Sequence, residues 1–117
     1  MTKILLVEDE DALREGIART LRERGHEVVE AGDGEEALEH LRAGPYALVI
    51  CDLALPGLDG LAMLKAAGDT LGQARVLLMS GYDIKDAPAE LAGRSRALKK
   101  PIAHAAVADE AGALLAA

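Results

Sequence analysis

Two runs of uninterrupted aliphatic residues each end on acid: Ile4-Leu5-Leu6-Val7 leads into Glu8-Asp9-Glu10, and Leu48-Val49-Ile50-Cys51 leads into Asp52. A strand with one wet face alternates apolar and polar residues. Runs without alternation mark strands buried on both faces, as in parallel sheets covered by helices. The sequence between the two runs fits that arrangement. Asp11 to Arg24 sets Leu13, Ile17, Ala18 and Leu21 at helical spacing and stops at Gly25. Glu27 to Ala31, with Val28-Val29, predicts a short strand. Glu35 to Arg42 predicts a second helix with Ala37, Leu38 and Leu41 inward, ended by Gly44-Pro45.

The alternation continues. Ala47 to Asp52 is the third predicted strand, Leu53 to Gly60 a loop, Leu61 to Ala67 a helix, and Val76 to Met79 a fourth strand ending at Ser80-Gly81. From Tyr82 to Ser95 the pattern weakens, because Pro88 and Gly93 interrupt what should be a fourth helix, which is expected to be short or irregular. A brief strand at Ala97 to Lys99 runs into Lys100-Pro101, and Ala105 to Ala116 reads as an Ala-rich final helix. Five strand-helix units imply an α/β fold with a parallel sheet and helices on both faces. With 117 residues and no linker, repeat or low-complexity tract, residues 1–117 are expected to form one domain with no output domain.

Composition narrows the partners. The chain has no Phe or Trp and two Tyr, so half of it being hydrophobic means an aliphatic core. A net charge of −7 disfavours the phosphate backbone of nucleic acid, so direct DNA binding is not expected and a cation or protein partners are. Cys51, alone in an apolar run, reads as a small buried hydrophobe. His26, His40 and His104 lack a metal-ligand spacing. No apolar stretch spans a membrane, and Met1-Thr2-Lys3 leads straight into a strand. The expectation is a cytoplasmic protein without membrane insertion.

Parallel strands open their carboxyl ends on one edge, where α/β proteins place ligand sites. Glu8, Asp9 and Asp52 converging there repel one another unless a cation joins them, and oxygen ligands without Cys or His favour Mg2+. The competing reading makes these acids helix caps, a role that Glu10 and Asp11 fit better. Ser80 ends the fourth strand and Lys100 follows the fifth. The full set suits a phosphoryl group: an acid nucleophile, a metal, a cation and a hydroxyl donor.

Ile4 to Glu10, the stretch Asp52-Leu53-Ala54-Leu55-Pro56-Gly57-Leu58-Asp59-Gly60, Ser80-Gly81 and Lys100-Pro101 together resemble the receiver domain of bacterial response regulators, over essentially the whole chain. The resemblance implies a five-stranded doubly wound sheet in the order 2-1-3-4-5. It implies that Asp52 accepts a phosphoryl group from a sensor histidine kinase or a histidine phosphotransfer protein. Asp9, Asp52 and the Ala54 backbone carbonyl would hold Mg2+, with Glu8 contributing, and Ser80 and Lys100 would bind phosphoryl oxygens. Catalysis beyond self-directed phosphoryl acceptance and autodephosphorylation is not expected. Such a stand-alone receiver would act on a downstream protein target, as a phosphorelay intermediate, a motility regulator or a regulator of proteolysis.

One position departs from the family pattern: three residues before Lys100, where an aromatic is usual, stands Ala97. Without that ring, phosphorylation is expected to order or shift the Tyr82 to Ser95 segment as a whole. Three other readings compete. Gly32-Asp33-Gly34 before a helix imitates a dinucleotide fingerprint, but Asp33, Glu35 and Glu36 crowd the place of a pyrophosphate. A phosphohydrolase using Asp52 lacks a substrate domain. A non-phosphorylated interaction module leaves the acid set without a role.

Overall fold

The computed structural model describes residues 2–82, 91 and 93–116. Five strands, β1 (Lys3–Val7), β2 (Glu27–Ala31), β3 (Leu48–Asp52), β4 (Arg75–Ser80) and β5 (Ser95–Lys99), form one parallel sheet in the order β2-β1-β3-β4-β5. The α-helices among the described residues are α1 (Asp11–Glu23), α2 (Gly34–Ala43), α3 (Gly60–Ala67) and α4 (His104–Ala116), and a 3-10 turn at Gly68–Leu71 follows α3.

The aliphatic runs behave as parallel central strands should. Side chains alternate across a strand, so Leu5, Val7, Val49, Cys51, Val76 and Leu78 pack on one face with Ala37, Leu38 and Leu41 of α2 and Met63 and Leu64 of α3. Ile4, Leu6, Leu48, Ile50, Leu77 and Met79 pack on the other with Ile17 and Leu21 of α1 and Val107 and Leu114 of α4. Every residue of β3 is buried. Each fully buried Leu or Ile contributes about 1.5–3 kcal/mol, so these two layers fix the strand register and, with it, what stands at the strand ends.

Helix starts follow the sequence. Asp33 and Asp59 cap α2 and α3, their carboxylates accepting the Glu36 and Ala62 amides at 2.8 Å each. Gly25 ends α1 with φ +92°, a conformation glycine adopts without steric cost. The boundaries differ from expectation by one or two residues. Thus β5 begins at Ser95 rather than Ala97 because backbone pairing with β4 starts opposite Val76, and α1 stops at Glu23, Arg24 being its C-cap. The irregular fourth helix expected between Tyr82 and Ser95 falls mostly outside the described residues. Ala97 is exposed. No helix among the described residues is long and apolar enough to cross a membrane.

Candidate functional site

Strand β1 lies between β2 and β3, so the crevice at the carboxyl edge of β1 and β3 is the point where strand order reverses, the usual ligand position in such sheets. Val7 pairs with Cys51, which sets Glu8 and Asp52 side by side one residue further on. Glu8 is fully buried and Asp52 is 3% exposed. Asp9 points outward, yet one carboxylate oxygen from each of Glu8, Asp9 and Asp52 lies within 4.8 Å of the others.

Lys100 joins two of them. Its Nζ donates to Glu8 Oε1 and to Asp52 Oδ2, both at 2.6 Å, from the turn that follows β5. Burial alone would lower the lysine's pKa; the hydrogen bonds to Asp52 and Glu8 reverse this and hold it above its ordinary value. The balance runs otherwise for Glu8. Burial, with repulsion from Asp52 added, pushes its carboxyl from 4.5 up to about 7 in spite of Lys100. Three acids stand beside one ammonium that contacts two of them, so the cluster carries surplus negative charge, and its donors are all oxygen. That set fits a hard divalent cation.

The other strand ends complete the edge. Asp52 Oδ1 accepts the amide of Ala54 at 3.0 Å, which folds the β3–α3 loop back over the carboxylate. Ser80, 6% exposed, ends β4; its hydroxyl accepts the Tyr82 amide at 3.0 Å, and its carbonyl accepts the Lys100 amide at 2.7 Å. All six residues named from the sequence therefore stand at the carboxyl edge of the sheet. Glu10 is the exception to the capping expectation. Its side chain makes no cap hydrogen bond; instead Glu8 Oε2 accepts the Glu10 amide at 3.1 Å, and Asp11 pairs with Arg14 at 2.8 Å. Cys51 is fully buried, where desolvation first and neighbouring carboxylates second push its thiol up, away from reactivity.

Sequence reasoning missed the supports behind the site. A Cβ on Gly60 would run into the Asp52 carbonyl and stand 2.8 Å from Leu53 Cα, and one on Gly34 would stand 2.6 Å from the Leu58 carbonyl. The signal was legible as a repeated dipeptide. Asp33-Gly34 and Asp59-Gly60 each join a capping Asp to a Gly at the closest approach of helix and loop. At Asp33 the same geometry occupies the Glu36 amide that a pyrophosphate would need.

Comparison with known proteins agrees with this fold. The family pattern described as the response regulator receiver domain matches residues 4–111. The chain belongs to this receiver family. Among curated relatives, the response regulator protein FleR of Pseudomonas aeruginosa is 38% identical over 109 residues, 92% of this chain and 23% of FleR. The receiver thus spans about a quarter of that relative's length. Among solved structures, the receiver domain of the hybrid histidine kinase CckA is 43% identical with a TM-score of 0.84, covering 97% of this chain and 98% of that one. The response regulator TrrA of Thermotoga maritima, solved in complex with Mg2+ and BeF, is 30% identical with a TM-score of 0.82, covering 97% of this receiver and 99% of TrrA.

Proposed function

We propose that this receiver is a phosphoacceptor switch: Asp52 takes a phosphoryl group from a sensor histidine kinase or a histidine phosphotransfer protein, and the change in charge alters a surface read by a protein target. The observation that carries this reading is the bridge of Lys100 between Asp52 and Glu8 at 2.6 Å each. A buried carboxylate, a fixed cation and further acid oxygens around one point support a nucleophilic role for Asp52. Asp52 Oδ2 attacks phosphorus as the bond to the donor's imidazole nitrogen breaks, and the electron pair leaves with that nitrogen. Lys100, already within reach of Oδ2, neutralises charge on the phosphoryl oxygens, and the Ser80 hydroxyl, exchanging its Tyr82 contact, donates to another. Asp9, Asp52, the Ala54 carbonyl and Glu8 would hold Mg2+, which supplies charge neutralisation for the phosphoryl oxygens.

Aspartyl phosphate adds negative charge and acceptor oxygens at a buried position. Ser80 moving toward it carries Gly81 and Tyr82, the latter 80% exposed and so available to a partner. Support for a kinase or phosphotransfer donor comes from the relatives, which include a receiver within a hybrid histidine kinase and a sensor kinase from Brucella abortus. Beryllofluoride, a phosphoryl stand-in, tests the reading. With Mg2+ it should shift the amide resonances of Ala54, Ser80 and Lys100 at one equivalent, and in Asp52→Asn or in chelator it should not. Equal shifts in Asp52→Asn would refute it.

A further inference from the structure

Arg14 touches neither Asp52 nor Lys100 in any described contact, yet it grips the segment that presents the acid pair. Its Nη1 donates to the Glu8 carbonyl at 2.8 Å and its Nη2 to Asp11 Oδ1 at 2.8 Å, while Nε lies 3.4 Å from Glu30 Oε1 on β2. The side chain is 16% exposed, and Glu30 is itself fixed by Arg22 at 3.2 Å. The Glu8 carbonyl belongs to the peptide unit that joins Glu8 to Asp9. On the other side of Glu8, the amide donates to the Ala31 carbonyl at 3.0 Å. Glu8 is therefore pinned at both of its backbone groups, by β2 on the amide side and by Arg14 on the carbonyl side. That pinning decides how the Glu8 and Asp9 side chains diverge, one into the core and one toward solvent.

We infer that Arg14 is a positioning residue for the cation site: by holding the Glu8–Asp9 peptide it keeps the two carboxylates turned so that both can contribute where Mg2+ would bind. The inference rests on the metal-site reading given above. Only arginine suits the task, since its planar fork offers donors in several directions at once to a carbonyl and two carboxylates, whereas a lysine ammonium is a point charge on a flexible stem. Asp11 and Glu30 compensate the guanidinium charge where it sits, leaving geometry as its contribution. Outer residues that orient metal ligands commonly matter by about 10–100-fold in affinity.

The sign of the effect separates positioning from electrostatics. Taking a positive charge away from a cation site should tighten Mg2+ binding if charge alone mattered; loss of positioning should weaken it. The experiment is a Mg2+ titration of the whole chain followed by backbone amide shifts, for wild type, Arg14→Gln and Arg14→Lys, with melting temperatures in chelator as the control for folding. The expected result is an apparent Kd about tenfold weaker in Arg14→Gln, and also weaker in Arg14→Lys, which keeps the charge. Unchanged or tighter binding in a folded variant would overturn the role given to Arg14 while leaving the metal site standing. A wild-type chain without saturable Mg2+ shifts would overturn the metal-site reading and the inference with it.

Discussion

The ammonium of Lys100 sits 2.6 Å from Asp52 Oδ2 although 48 residues separate the two in sequence, and the same nitrogen is 2.6 Å from Glu8. This one cation holds two buried carboxylates together.

Replacing Lys100 with Met should accordingly leave Glu8 and Asp52 facing one another without compensation. Stability in chelator at pH 7.5 should fall by about 1–3 kcal/mol, and the loss should shrink at pH 5, where Glu8 takes up a proton. Urea denaturation at the two pH values checks this. An equal loss at both would mean that Lys100 acts through packing.

Glu8 gives the site a pH dependence of definite sign. Its folded pKa of about 7 lies above the ordinary 4.5, so the folded protein binds more protons than the unfolded chain between those values. Stability from this group is full below the lower value and declines as pH rises toward the upper one. Melting temperature in chelator, wild type minus Glu8→Gln, should fall across pH 4.5 to 7 by several degrees, since about 1 kcal/mol moves a domain of this size by about 4 °C. A flat difference curve would show that Glu8 titrates normally.

Gly60→Ala should damage the site from behind. The new methyl group meets the Asp52 carbonyl and the backbone of Leu53, neither of which is the free end of a flexible chain. Overpacking of this kind costs about 1–3 kcal/mol. The amide shifts of Asp52 and Ala54 should move with it, whereas Gly57→Ala, in open space at a positive φ of 71°, should cost stability with Asp52 undisturbed. Undisturbed Asp52 shifts in Gly60→Ala would contradict the support role.

Ala97, exposed on β5, offers no ring to follow Ser80 inward. Phosphorylation is expected instead to change residues 82–95 as a unit. Hydrogen exchange should show altered protection across that stretch in phosphorylated protein; identical exchange in both forms would end the idea.

Much of this was legible in the sequence because the chemistry is local to strand ends. Ile4 to Val7 and Leu48 to Cys51 show no alternation, which requires burial on both faces, and the acids follow directly. Lys100 could be placed at the edge as the residue that follows the fifth predicted strand, but not its double contact, since that depends on how far the turn after β5 reaches across the sheet. In the sequence Arg14 is one polar residue among the non-apolar positions of α1. Its grip on the Glu8 carbonyl is a contact to backbone, which carries no side-chain pattern for a sequence to reveal. Glu10 reads as a cap because acids favour a helix start, yet its side chain makes no cap hydrogen bond, and its own amide is taken by Glu8, turned inward.

Intact-protein mass spectrometry after incubation with acetyl phosphate and Mg2+, beside Asp52→Asn and a chelated sample, tests the phosphoacceptor role most directly. The account predicts a single phosphoryl adduct on the wild type that is absent from both controls. A folded wild-type protein with no adduct, or an adduct that survives in Asp52→Asn, would contradict it.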